Sequence, residues 1–164
     1  MKMIREATSD EMNEVYMMGY DVWGDDLPSN DYINMCSESS KYKKGRWYVL
    51  EETNTKELLS SLIIYELPSS EGFIARGIGS IATPRRLRQN GYASLLIKEV
   101  IAELEQHENC NLCFLYTDIG TTFYKQLQFL EIPSSKQKYQ GSTCMYYSSV
   151  KDVDVMSFPI PEYF

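Results

Sequence analysis

At 164 residues the chain is long enough to bury roughly 70% of the surface its unfolded form would expose, so one domain spanning residues 1–164 is expected, without disulfide or metal staples. Apolar residues make up 43% and charged residues 24%, an ordinary globular composition that excludes global disorder. The net charge of −7 sits in residues 1–40, where two basic side chains meet nine acidic ones, while the remainder balances to zero. That distribution argues against general nucleic-acid binding and favours a cationic partner along the N-terminal third.

No apolar run approaches the roughly 18 residues of a spanning helix, and no charged-then-apolar leader opens the chain. No membrane partner is expected, and the cytoplasm is the expected compartment. Four cysteines, Cys36, Cys110, Cys113 and Cys144, fit that compartment as reduced thiols. Cys110 and Cys113 form a C-x-x-C, but there is no second pair and one histidine only, so no metal is expected, and Cys113 reads as packing within a strand.

Met3 to Ala7 reads as a short strand, and Thr8-Ser9-Asp10-Glu11 as a capping box that launches a helix through Met12, Val15, Tyr16 and Gly19. Asp21 to Ser29 is a turn-rich break, followed by a short helix over Asp31 to Ser39. Trp47–Glu51 and Leu58–Glu66 form a hairpin about the polar turn Glu52–Lys56, and Phe73–Thr83 adds a third antiparallel strand. A helix over Tyr92–Glu105 follows, with Leu95, Leu96, Val100 and Leu104 on one stripe and Lys98, Glu99, Glu103 and Glu105 facing water. Leu112–Thr117 is a buried strand, Thr121–Leu127 a short helix and Thr143–Val150 a last strand. The order predicts an α/β fold whose mixed, mostly antiparallel sheet is flanked by helices. The apolar tail Met156–Phe164 is expected to cover its own sheet or the edge of a second copy, which admits a homodimer.

Residues 83–93 hold three of the six arginines, then a glycine, then the start of the long helix. A strand running into a basic turn, with the unpaired amides of a helix N-terminus behind it, is the build of an anion cradle that selects phosphate. Arg88-Gln89-Asn90-Gly91-Tyr92-Ala93, in this context, resembles the R/Q-x-x-G-x-G/A motif of the GNAT superfamily of N-acetyltransferases. Phe114–Asp118 followed by Phe123–Phe129 resembles the later strand and helix of that family. The resemblance in order, spacing and element type covers roughly residues 3–150.

The resemblance implies acetyl-CoA as donor substrate, held at a splayed pair of strands. Backbone groups of Ile81, Ala82 and Thr83 would pair with the pantetheine arm, and Arg88, Gln89, Asn90, Gly91, Tyr92, Ala93 and Ser94 would hold the pyrophosphate. Gly91 would permit the close approach. Arg85 and Arg86 are candidates for the outlying phosphate, with exposed charges serving solubility as the alternative. Tyr124 would donate a proton to the departing thiolate, the alternative being a tyrosine that packs its helix on the sheet while Phe123 and Phe129 anchor it.

The acceptor is expected to be a small amine, amino acid or peptide amine. An alkyl amine is neutral only about once in 10³ at pH 7 and so needs a base or a water path. Where one branch of the family has a glutamate, this chain has Gly77 beside Arg76, leaving Glu66, Glu71 or a held water as candidates. Gln128 replaces a family glycine, which requires it to adopt that glycine's backbone. Tyr20, Trp23, Asp25, Asp26 and Tyr32 are either an acceptor wall suited to a cation or a solvated acidic loop pinned by aromatics. His107 reads as an exposed residue at a helix end. The competing readings are an acyltransferase using a longer acyl-CoA and an acyl-CoA-binding sensor or interaction module without turnover.

Overall fold

The computed structural model describes residues 1–70 and 72–164, so Glu71, one of the candidate bases, lies outside the described residues. Among the described residues seven strands form one sheet: β1 (Lys2–Glu6), β2 (Arg46–Glu52), β3 (Glu57–Glu66), β4 (Ala75–Ala82), β5 (Leu112–Thr117), β6 (Leu130–Glu131) and β7 (Thr143–Ser148). Their order is β1-β2-β3-β4-β5-β7-β6. The described parallel pair is β4 with β5, and the helices are α1 (Met12–Met17), α2 (Tyr20–Trp23), α3 (Ser29–Glu38), α4 (Ser40–Lys43), α5 (Tyr92–Glu108) and α6 (Thr122–Lys125). The sheet is mixed and mostly antiparallel, as expected.

The chain divides into two compact units, Met1–Ile64 with Ser80–Val100, and Tyr65–Gly79 with Ile101–Phe164. In the first, β1 pairs antiparallel with β2 and β2 with β3, the second ladder shifting register at Leu50/Glu51. The Thr8 capping box forms as expected, with the Thr8 side chain on the Glu11 amide and the Glu11 carboxylate on the Thr8 amide, although its first turn is a 3-10 helix. Arg5 bridges Glu11 at 2.6 Å and also pairs with Glu51. That partner holds the Glu11 carboxyl at about 2, well below the usual carboxylate range. The core of this unit joins Val15 and Met18 of α1 to Val49, Leu58 and Ala82.

Two short helices stand where the sequence pattern indicates a break or nothing. Tyr20–Trp23 coils into α2, ended by Gly24, and the left-handed pair Asp25 (φ 46°) and Asp26 (φ 61°) turns the chain back. Acidic residues suit that conformation because their short polar side chains tolerate it better than branched ones do. Ser39 caps α4 by accepting from the Tyr42 amide at 3.2 Å.

In the second unit the opening of β4 pairs parallel with β5 over Ala75↔Leu112, Arg76↔Cys113 and Gly77↔Phe114. β5 then runs antiparallel to β7 for six residues, and β7 carries the two-residue β6 on its other side. The apolar tail packs on its own unit: Val155 and Phe158 are buried with Ala75, Leu112, Phe114, Ile132 and Cys144. Phe158 meets the rings of Phe73 and Phe114 at 5.9 and 5.8 Å. Burying such an aromatic is worth about 1.5–3 kcal/mol. In α5 the buried stripe is Leu96, Ile97, Val100, Ile101 and Leu104, with Lys98 and Glu99 exposed as predicted. Glu105 differs from the prediction, because one of its carboxylate oxygens is covered. No described helix is long and apolar enough to cross a membrane.

Candidate functional site

In the first unit the site is built around the end of β4. Ser80, within β4, takes a positive φ of 45°, and its hydroxyl donates to the Tyr42 hydroxyl at 3.2 Å. Ile81, Ala82 and Thr83 follow. The Ser60 hydroxyl lies 2.8 Å from the Ala82 carbonyl and 2.9 Å from the Thr83 hydroxyl, so a neighbouring strand locks the exit of β4. A 3-10 turn over Arg85–Leu87 leads to residues 88–91 and then to the first turn of α5.

The turn uses its own side chains to occupy its carbonyls. Asn90 donates through Nδ2 to the carbonyls of Leu87 and Arg88 at 3.0 and 3.2 Å. Arg88 donates from Nε to the Thr83 carbonyl at 2.9 Å. Gln89 (φ 65°) and Gly91 (φ 77°) are both left-handed, an alternation that turns successive amides toward one concave side. A Cβ on Gly91 would meet nothing within 4 Å, so its backbone angle, and not a lack of space, calls for glycine. Tyr92, Ala93 and Ser94 open a 17-residue helix, so their amides have no intrahelical acceptor. The result is a run of free donors at the positive end of a helix dipole.

The three arginines of the turn differ in their commitments. Arg88 makes a two-pronged pair with Asp21, both contacts at 2.8 Å, which holds the Asp21 carboxyl below the usual range. Arg86 pairs with Glu57 at 2.5 Å on the surface. Arg85 has no ion-pair partner among the described residues and lines, with Arg86, Pro84, Tyr20, Met17 and Met18, an open depression of about 360 Å³. The Asp21 carboxylate lines the same depression, and the charge of Arg85 acts on it. In the sequence Asp21 is one charge of the acidic third and the start of a turn-rich break, and no local pattern links it to a residue 67 positions away.

The aromatic and acidic residues of the N-terminal third separate. Tyr20 and Tyr32 meet edge to face at 5.2 Å, and the Tyr20 hydroxyl bonds the Leu27 carbonyl. Asp25 and Asp26 are exposed in the turn they make. A second aromatic group, Tyr16, Tyr42 and Trp47, surrounds Ser80, with Trp47 edge-on to both tyrosines at 6.0 and 5.1 Å.

In the second unit, Tyr124 sits half-buried in α6 between Phe123 at 5.0 Å and Phe129 at 6.2 Å. Burial, and then the Asp118 charge, push its phenol above the ordinary tyrosine range, so it is a neutral donor near pH 7. Among the described residues no group accepts a hydrogen bond from it. Phe129 is a buried anchor, as predicted, whereas Phe123 is 38% exposed and anchors little. Gln128 has φ 69°, the left-handed backbone its position requires.

Gly77 is covered by the ring of Phe164, 2.7 Å from where a Cβ would stand. Phe164 also meets Tyr65 and Tyr116 at 5.5 and 5.6 Å, and Tyr163 donates to Asp118 at 3.1 Å. Arg76 pairs with Glu108 at 3.0 Å, and Glu66 is exposed. His107 is exposed and lies 3.3 Å from Glu103 one turn back, as its helix-end reading implies. No group of ligands able to hold a metal occurs among the described residues.

No protein-family model matches the chain, and no characterised protein matches it by sequence. Solved structures do match in fold. The spermidine/spermine N-acetyltransferase SpeG of Vibrio cholerae superimposes with a TM-score of 0.63 at 13% identity, covering 90% of this chain and 95% of its own. A GNAT-family acetyltransferase of Staphylococcus aureus gives 0.64 at 13% identity, covering 90% and 99%. NAA60 of Arabidopsis thaliana, solved with a bisubstrate analogue, gives 0.60 at 13% identity, covering 90% and 98%. The chain therefore has the fold of the GNAT acetyltransferases.

Proposed function

We propose that this chain transfers an acetyl group from acetyl-CoA to an amine by direct transfer in a ternary complex. The observation that carries the reading is the turn at residues 88–94: left-handed Gln89 and Gly91 and an Asn90 that occupies the turn's carbonyls, followed by the free amides of a long helix. That is a site for phosphate oxygens, set in a fold whose solved relatives are acetyltransferases.

Amides of Arg88 through Ser94 hold the pyrophosphate, with Arg85 available for the outlying phosphate. Backbone groups of Ile81, Ala82 and Thr83 pair with the pantetheine. Tyr124, kept neutral by burial, donates a proton to the departing thiolate. The acidic N-terminal third supports a cationic acceptor. Spermidine and spermine, which SpeG acetylates, head the panel of amines to try, with amino acids and peptide N-termini behind them.

Thermal stabilisation tests the donor: micromolar acetyl-CoA raises the melting temperature while NAD and ATP at the same concentration do not. No shift with acetyl-CoA would overturn the reading. Release of free thiol across the amine panel then identifies the acceptor, and stabilisation without any thiol release on any amine would mark a binding module.

A further inference from the structure

The C-x-x-C at the end of α5 is a feature that acetyl transfer leaves unused. Cys110 and Cys113 are buried, each 2% exposed, and their sulfurs lie 3.8 Å apart. Cys110 follows the helix at a turn, where its amide bonds the Leu104 carbonyl and Asn109, fully on the surface, takes a left-handed φ of 55°. Cys113 is three residues further along, in β5, across from Arg76. Asn111 between them ties the Gly72 carbonyl and the Ile74 amide at 2.9 and 3.0 Å. The two thiols are thus held side by side by a strand and a clamped turn, with a surface residue next to one of them.

We propose that Cys110 and Cys113 are an oxidisable dithiol that closes to an intrachain disulfide under a peroxide. The Cys110 sulfur attacks one peroxide oxygen, forming an S–O bond and breaking O–O, and the departing oxygen leaves as water. The Cys113 sulfur then attacks the Cys110 sulfur, forming S–S and breaking S–O, and a second water carries away the remaining oxygen. Two thiols and one peroxide become one disulfide and two waters, sulfur being oxidised and peroxide reduced.

The pair is asymmetric in the required sense. The hydrogen bond from Cys113, helped by the charge of Arg76, lowers the Cys110 thiol, while that same bond and burial raise Cys113. Access to Cys110 needs local opening of the turn at exposed Asn109, next to the buried Cys110. Cys36 and Cys144 are buried singly elsewhere and have no such partner among the described thiols.

The test uses the full chain, folded, treated with hydrogen peroxide, then alkylated under denaturing conditions and digested with trypsin. The peptide 99–125 contains both cysteines of the pair and no other. It should appear unalkylated and about 2 Da lighter than its reduced form, and return to the doubly alkylated form after dithiothreitol. Two alkylated thiols after peroxide, stepwise over-oxidation of Cys110 without loss of hydrogen, or disulfides to Cys36, Cys144 or a second chain would each overturn the proposal. In Cys113→Ser a dimedone adduct should collect on Cys110, whereas Cys110→Ser should leave Cys113 unlabelled. The opposite pattern would reverse the roles and sink the assignment of the attacking sulfur. The peptide measurement on the parent chain needs neither variant to fold.

Discussion

The turn at residues 83–94 and the segment 155–164 treat their polar and apolar groups in opposite ways. In the turn, side chains of Asn90 and Arg88 occupy the carbonyls of Leu87, Arg88 and Thr83, and the first amides of α5 have no intrahelical acceptor. In the segment the aromatic and carboxylate groups are engaged: Phe158 in the core, Phe164 on Gly77, Tyr163 on Asp118, and the Tyr139 hydroxyl on Glu162 at 2.6 Å. Unmet donors on the surface are tolerable because water satisfies them, and a phosphate can replace that water. Buried rings and paired hydroxyls offer a ligand nothing to replace. The difference separates the place proposed to bind from a place that packs.

The comparison breaks most readily at its packed end. Phe158→Ala should cost about 3–5 kcal/mol in urea unfolding, since a buried ring leaves a cavity; a loss under 1 kcal/mol would mean that the segment merely rests on the unit. Tyr124→Phe should lower kcat about a hundredfold while leaving acetyl-CoA affinity and melting temperature unchanged, the separation expected of a proton donor that does not hold the coenzyme. Equal turnover in the two proteins would return Tyr124 to a packing role.

At the binding end the effects are smaller. Arg88→Ala removes the donor that ties Thr83 and Asp21 to the turn, so calorimetry should read acetyl-CoA binding about tenfold weaker, roughly 1.4 kcal/mol. Binding as tight as in the parent chain would remove the phosphate assignment. Gln128→Gly relieves a left-handed non-glycine backbone and should raise stability by about 0.5–1 kcal/mol, net of glycine's greater freedom when unfolded.

The smallest effect is in acid. Arg88 depresses the Asp21 carboxyl, so the folded state prefers the charged form. The stability this pair supplies is present above the ordinary carboxylate range and is lost as pH falls through the lowered folded value. Exposure to solvent keeps it to a few tenths of a kcal/mol. Asp21→Asn should flatten that part of the acid unfolding profile, and an unchanged profile would show the ion pair to be energetically silent.

Much of the site was legible along the chain because its parts are neighbours in sequence. Strand, basic turn, glycine and amphipathic helix run consecutively from residue 78 to residue 108, and an anion cradle of this kind is assembled from local backbone. The left-handed backbone of Gln128 was expected from the resemblance, because Gln128 stands where the family has a glycine at a helix end. The short helices α2 and α4 were not legible. Four residues carry too little periodicity to register, and they are stabilised by packing and a Ser39 cap more than by propensity.

Local chemistry therefore determined the capping box at Thr8, the hairpin about Glu52–Lys56, the buried stripe of α5 and the handedness at Gly91, because each depends on atoms a few residues apart. Tertiary structure decided which arginine is engaged and which is free, that Phe164 lies on Gly77, and that β7 stands between β5 and β6. Those outcomes depend on which distant side chains share a surface once the core has closed. No spacing within the chain encodes a contact between residues 67 or 87 positions apart.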